Sequence, residues 1–205
     1  MRCPRPMPEE LTLRLWPDNW LGPLDLGQEW EQTGPRILDL GCGKGRFLLA
    51  HAARNPNARL LGVERKLRRI RKIDSKACRA GLRNIRLLRM EAMYTLNHLI
   101  PPGWIDLCFI YFPDPWPKEK HHKNRIFGPA FLNSLDRVLS ENGIVHFATD
   151  NRNYFEDVQK GLGEDSRWIP AEIYVPREEE VSDFELVWRD TRPTNRLSFR
   201  RRTAR

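Results

Sequence analysis

From residue 36 onward, short apolar runs alternate with stretches whose apolar residues recur every three or four positions. RILDL (36–40) is a run of the first kind and predicts a strand. KGRFLLAHAAR (44–54) is of the second kind, with Phe47, Leu48 and His51 at helical spacing. It stops before Asn55-Pro56, because a residue ahead of proline is pushed out of helical geometry. Residues 59–64 predict a second strand and residues 65–80 a helix. On that helix Leu67, Ile70, Ile73 and Ala77 share one face, while Arg65, Lys66, Arg68, Arg69, Arg71, Lys72, Lys76 and Arg79 cover the rest. IRLLR (85–89) predicts a third strand and AMYTLNHL (92–99) a helix. WIDLCFIYF (104–112) is almost continuously apolar, the pattern of a strand covered on both faces. GPAFLNSLDRVLS (128–140) predicts a helix with Pro129 near its start. GIVHFATD (143–150) predicts a strand and NYFEDVQKGL (153–162) a helix. Strand-like WIPAEIYV (168–175) and RLSFRR (196–201) close the chain.

This alternation implies an α/β fold, a mostly parallel seven-stranded sheet with helices on both faces. Right-handed crossovers in such a sheet place ligands beyond the carboxyl ends of the strands, near the switch in strand order. Residues 1–35 are rich in proline and tryptophan and have no period. They predict an irregular arm packed on a single domain spanning 36–205.

The 205 residues are 40% hydrophobic and 30% charged, a globular composition of single-domain size. With 35 Lys and Arg against 27 Asp and Glu, the net charge is +8. That balance suits a polyanionic partner, nucleic acid or an anionic membrane surface, and equally a solubilising surface. No apolar run is long enough to span a bilayer, and MRCPRPMPEE lacks the apolar segment of a secretory signal. Cys3, Cys42, Cys78 and Cys108 are scattered with no CxxC pair, so neither a zinc site nor a redox motif is expected. A reduced, cytoplasmic protein fits these features.

Three motifs fall at predicted strand ends. The first strand runs into DLGCGKGRF (39–47). Gly41, Gly43 and Gly45 allow a sharp turn and close ligand approach, and Asp39 sits two residues before the first glycine. The spacing is G-x-G-x-G with Arg46 next, which disfavours the G-x-G-x-x-G dinucleotide loop and hence an NAD enzyme. Glu64 ends the second strand, where a carboxylate can accept both ribose hydroxyls of a nucleoside. Glu91, followed by Ala92, ends the third; it suits an adenine edge or, equally, a helix N-terminal acid. Together these residues resemble the class I, Rossmann-like S-adenosylmethionine-dependent methyltransferases. An acid at the loop suits their cationic ligand better than a pyrophosphate.

The third motif is FPDPWPKEKHHKNR (112–125). Proline fixes its own φ and restricts the residue before it, so Asp114, between Pro113 and Pro115, has little freedom. Trp116 either stacks on a ligand or packs beneath the loop. FPDPWPK followed by a basic, histidine-containing run resembles the signature of the tRNA (guanine-N7-)-methyltransferase family. The similarity covers roughly 36–201, taking in DLGCGKG, GVE (62–64), EA (91–92), FPDPWPK and ATD (148–150) in order.

The resemblance implies methyl transfer from S-adenosylmethionine to N7 of guanine-46 in the tRNA variable loop, giving S-adenosylhomocysteine. It implies cofactor binding by Asp39, Gly41, Gly43, Gly45, Glu64, Glu91 and Ala92, an active-site acid at Asp114, and substrate binding by Lys118 and Asp150. It makes Lys120, His121, His122, Lys123 and Arg125 an RNA-contacting run. Glu91 stands where the family has Asp, and Asn124 where it has a basic residue. The family's C-terminal Thr-x-x-Glu corresponds to SDFE (182–185), giving substrate-binding roles to Ser182 and Glu185. Guanine N7 carries a lone pair and no proton, so Asp114 is expected to orient the base by accepting from N1–H and N2–H. The 65–79 helix and RRRTAR (200–205) are candidates to hold tRNA phosphates. No metal is implied. Two rivals share the cofactor motifs: a methyltransferase of this fold with another substrate, and a non-catalytic RNA-binding subunit. Binding of S-adenosylmethionine by the isolated protein separates the second from an enzyme.

Overall fold

The structure, a computed structural model, describes residues 12–116 and 125–202. Strands β1 (Arg36–Leu40), β2 (Arg59–Val63), β3 (Ile85–Leu88), β4 (Ile105–Tyr111), β5 (Leu139–Thr149), β6 (Trp168–Pro170) and β7 (Asn195–Arg201) form one sheet. Their order is β3-β2-β1-β4-β5-β7-β6. The first five are parallel; β7 runs antiparallel to β5, and β6 antiparallel to β7. Between them lie helices α1 (Arg46–Arg54), α2 (Leu67–Arg79), α3 (Ala92–Tyr94), α4 (Pro129–Val138), α5 (Arg152–Glu164) and α6 (Asp183–Trp188).

The two-residue period of the strands sorts side chains into two cores. Ile37 and Phe109 join Phe47 and Leu48 of α1 and Ile70, Ile73 and Ala77 of α2. Leu38, Leu40, Cys108 and Ile110 point the other way, to Leu96, Leu99, Phe131 and Leu135. Strand β4 lies mid-sheet between β1 and β5, which is why its sequence is apolar throughout. Ile70 and Ile73 have no exposed surface, and each contributes roughly 1.5–3 kcal/mol by burial. Seating them forces Arg68, Lys72, Lys76 and Arg79 into solvent.

Part of the N-terminal region covers the outer edge of β3. The Leu15 N–H donates to the Leu87 carbonyl and the Leu87 N–H to the Leu13 carbonyl, both at 2.8 Å. An edge paired in this way offers no free ladder to another chain. Leu13, Leu15, Leu26 and Trp30 are buried.

Three elements differ from the periodicity. Residues 168–175 predict one strand, but only Trp168–Pro170 pairs; the chain then leaves the sheet, carrying Tyr174 toward His51 of α1. AMYTLNHL forms one α turn and then a π turn, Thr95–Leu99, with the Ile100 N–H reaching back five residues to the Thr95 carbonyl. Strand β5 starts at Leu139, directly after α4, because Leu139 already pairs with Ile105. The strand-order switch lies between β1 and β4, and the predicted motifs gather at the carboxyl ends around it.

Candidate active site

Past Leu40 the chain turns at Gly41, φ +87°. The Gly41 and Cys42 N–H groups both donate to the Val63 carbonyl at 2.9 Å, bonding the turn to β2. A Cβ at Gly41 would meet nothing within 4 Å, so the side of the turn away from β2 is open. Gly45, φ +81°, caps α1 and lies against α2; a Cβ there would sit 2.6 Å from Ile73 Cγ1. Gly43 also has positive φ, +59°.

Behind this turn Asp39, in register with Gly62 and Phe109, is only 4% exposed. Burial, and then the charge of Glu64, push its carboxyl up to about 7. A cation placed beside it would favour the ionised form. Glu64 is equally buried. Its Oε1 accepts the Lys66 N–H at 2.8 Å and its Oε2 accepts from the Arg69 guanidinium at 2.7 Å. The carboxylate is thereby aimed while keeping lone pairs for a ligand. Glu91 caps α3, its two oxygens accepting from the Met93 and Tyr94 N–H groups at 2.9 and 2.8 Å. This is the helix N-terminal acid of the sequence reading, and Glu91 and Ala92 also line the cavity.

Gly41, Glu64, Arg69, Glu91 and Asp114 border a cavity of about 650 Å³, a size suited to a nucleoside-sized ligand. A second cavity, about 480 Å³, lies between α4 and α5 and contains none of the residues singled out from the sequence.

The opposite wall is the 112–116 loop. Phe112 and Trp116 adopt φ of +52° and +43°, strained for residues with side chains, and they bracket Asp114. The Phe112 N–H donates to the Ala148 carbonyl at 2.8 Å, and its ring packs on Phe184 with centroids 4.9 Å apart. Asp114 is exposed at the cavity rim, and Trp116 lines the cavity while remaining 38% exposed.

Arg125, which the resemblance places in an RNA-contacting run, is buried and borders the same cavity. Its Nε donates to the Pro115 carbonyl at 2.8 Å, its guanidinium pairs with Asp157 and lies 4.9 Å over the Tyr154 ring. It therefore ties the loop to α5. Lys118, Lys120, His121, His122 and Lys123 lie outside the described residues.

Asp150, beyond the end of β5, accepts from Arg192 at 2.8 Å. Ser182 caps α6, its Oγ accepting the Glu185 N–H at 3.1 Å. Glu185 is buried and pairs with Arg196, which in turn lies 5.8 Å over the Tyr111 ring. Glu185 Oε2, Arg196 Nη1 and Tyr111 Oη find no hydrogen-bond partner among the described residues, and form a polar set around the same strand ends. Among the described residues, no group of His, Cys, Asp and Glu is placed to hold a metal ion, and no helix is long and apolar enough to cross a membrane.

Sequence reasoning missed what anchors the segment that carries Ser182 and Glu185. Glu180 has no exposed surface. It accepts from the Tyr174 hydroxyl at 2.6 Å, pairs with Arg54 at 2.6 Å and meets His51 Nδ1 at 2.8 Å. Burial alone would raise this carboxyl; the hydrogen bonds from Tyr174, the Arg177 backbone and His51 outweigh burial and hold it low. Arg46 adds a bond to the Val181 carbonyl at 2.9 Å. In the sequence EEE (178–180) looks like a solvated acidic run, and only its distant partners distinguish Glu180. Arg192 and Arg196 were likewise unmarked as site residues, and Arg69, read only as part of a basic helix face, is the partner of Glu64.

Comparison with known proteins gives a consistent picture. A family model described as "Putative methyltransferase" matches residues 33–183. The chain is 36% identical over 169 residues to a tRNA (guanine-N(7)-)-methyltransferase from Chlamydia abortus, covering 78% of this chain and 75% of that protein. It is 37% identical over 159 residues to one from Halorhodospira halophila, covering 75% and 69%. Among solved structures, the 16S rRNA methyltransferase KamB superposes with a TM-score of 0.64 at 17% identity, covering 87% of this chain and 92% of that one. An rRNA methylase from Streptococcus thermophilus superposes with a TM-score of 0.54 at 14% identity, covering 83% and 88%. At these identities the structural likeness concerns the fold alone.

Proposed function

The chain belongs to the tRNA (guanine-N(7)-)-methyltransferase family, enzymes that move the methyl group of S-adenosylmethionine to a tRNA guanine, and we propose guanine-46 of the variable loop as its target. The observation that carries this reading is the convergence of Glu64, Glu91 and the proline-stiffened Asp114 on one cavity.

The residues present suit the methyl donor. Buried Asp39 answers a cationic ligand, Glu64 suits ribose hydroxyls, and the open side of Gly41 admits close approach. Ala92 lines the same cavity, and Gly43 and Gly45 are proposed to shape the turn that the donor approaches. When bound, S-adenosylmethionine supplies a methyl group on a sulfonium, open to attack by a neutral lone pair. Guanine N7 has such a lone pair, so no residue of the chain needs to remove a proton. The N7–carbon bond forms as the carbon–sulfur bond breaks, and the departing pair stays on sulfur. The chain's work is therefore orientation and exclusion of water.

Asp114 is assigned to orientation. Its carboxylate accepts from guanine N1–H and N2–H and rejects adenine, which offers no donor at those positions. Strain at Phe112 and Trp116, held by the prolines and by Arg125, keeps that carboxylate at the rim. Lys118, Asp150, Ser182 and Glu185 are proposed substrate contacts. The exposed Arg68, Lys72 and Lys76 of α2 are proposed to meet tRNA phosphates. Action on tRNA supports a cytoplasmic location.

Replacing guanine-46 of an unmodified transcript with 7-deazaguanine tests the reading, because that base lacks N7 but keeps the Watson–Crick edge. The expected result is unchanged binding with no methyl incorporation. Equal incorporation into the 7-deaza transcript would overturn it.

A further inference from the structure

Helix α6 has only six residues, yet Phe184, Leu186, Val187 and Trp188 are all exposed, with Trp188 at 39%. The aromatic members are ordered. Phe112, two residues before Asp114, packs on Phe184 at 4.9 Å between centroids and 33° between planes. Phe184 is followed one helical turn later by Trp188, at 6.5 Å and 42°. The Arg192 guanidinium lies 4.3 Å over the Trp188 ring and also donates to Asp150 at 2.8 Å. A ladder of flat groups thus leads outward from the active-site loop, and its far end is fixed by a charged pair. Glu185, on the inward face of the same helix, pairs with Arg196 and keeps the ladder turned toward solvent.

We propose that this outer face of α6, centred on Trp188, is a stacking platform for an unpaired tRNA base adjoining the target guanine; the proposal rests on the tRNA reading above. A guanine drawn into the cleft leaves its neighbour without a stacking partner. An indole and a guanidinium plane beside the cleft restore that stacking for any base, because every base has a π face. Arg189 and Arg192 flank the ladder, Arg189 held by Glu178 and Arg192 by Asp150, so stacking rather than net charge carries the proposal. Size agrees. A six-residue helix is about 9 Å long, enough for one or two bases. A stable protein interface needs about 800 Å² per partner, far more than this helix offers.

The test measures binding of an unmodified tRNA transcript to wild type, Trp188→Ala and Trp188→Phe, repeated with transcripts abasic at each nucleotide flanking guanine-46. Trp188→Ala is expected to raise Kd for tRNA about tenfold, the size of one stacked base, and Trp188→Phe to recover most of it. One abasic position should weaken wild type by a similar factor and add nothing to Trp188→Ala. Affinity for S-adenosylmethionine and the melting temperature, measured alongside, report that the variants are folded. Wild-type tRNA affinity in Trp188→Ala overturns the proposal, as does full additivity at every abasic position. Loss of self-association in Trp188→Ala with unchanged tRNA binding also overturns it and assigns the face to a second copy. A wild type that methylates no tRNA guanine, while Trp188→Ala still loses tRNA affinity, sinks the parent reading alone.

Discussion

The two walls of the cleft are held by different kinds of contact. On the cofactor wall, Glu64 is fixed by Lys66 and Arg69, and Glu91 by Met93 and Tyr94, all within five residues. On the proposed substrate side, in segments that flank the cavity rather than line it, Arg192 reaches Asp150 across 42 residues and His51 reaches Glu180 across 129. Local strand-to-helix turns make the first wall, and docking of remote segments assembles the second. Damage to a remote contact should therefore spare cofactor binding while it ruins tRNA methylation, and damage to the glycine turn should weaken cofactor binding while it spares tRNA affinity.

The largest separation is expected from Glu180→Ala, which strands Arg54, His51 and the Tyr174 hydroxyl. Breaking a buried ion pair from one side costs roughly 3–5 kcal/mol, and in a chain of this size that lowers the melting temperature by about 10 °C. Methylation measured below that melting point should fall at least about tenfold as Ser182 and Glu185 lose their anchor, with S-adenosylmethionine affinity held within about twofold. Equal losses in both readouts would erase the distinction between the walls.

Gly45→Ala probes the opposite wall. Left-handed φ and a 2.6 Å approach to Ile73 Cγ1 both oppose the new methyl, at roughly 2–4 kcal/mol together. Calorimetry should register about a tenfold loss of S-adenosylmethionine affinity, with tRNA affinity nearly intact.

A pH series sharpens the same wall. Asp39 faces Glu64 just past β2, Cys42 of the turn and Tyr111 of β4, and its carboxyl is pushed up to about 7. Because this pKa is raised by folding, its contribution to stability is complete below the ordinary carboxylate range and is lost as pH rises through about 7. A cationic ligand needs the ionised form. Affinity for S-adenosylmethionine should thus climb up to about tenfold per pH unit below 7 and flatten above it. Asp39→Asn should bind weakly with no such slope; an unchanged slope in that variant would remove Asp39 from the account.

The smallest effect separates two roles of a basic side chain. Lys72→Ala should reduce the salt dependence of tRNA binding by roughly 0.7–0.9 in the log–log slope, the signature of one lost phosphate contact. Arg125→Lys should leave that slope unchanged, because Arg125 holds Pro115 and Asp157 rather than RNA.

The same contrast explains what was legible in the sequence. Strand and helix periods, the glycine spacing and the acids at strand ends are local; they placed six strands close to where they lie and put the glycine turn, Glu64 and Glu91 at neighbouring strand ends. Residues 171–175 read as strand because Ile173, Tyr174 and Val175 favour one, yet that stretch is drawn off the sheet toward Glu180 and α1. Helix α6 is too short to display a period, and its cap, Ser182, emerged only through a family motif. Arg125 sits in a basic run and looked exposed; its burial depends on Asp157 and Tyr154, distant in sequence. Charge alone does not tell a latch from an RNA contact.

The most direct test of the account is transfer of labelled methyl from S-adenosylmethionine to an unmodified tRNA transcript, by wild type and Asp114→Ala, with strand cleavage at 7-methylguanine to locate the product. The expected result is label at the variable-loop guanine, reduced by about 10²-fold or more in the variant. No label from folded wild type that binds the cofactor, or undiminished label from Asp114→Ala, would contradict it.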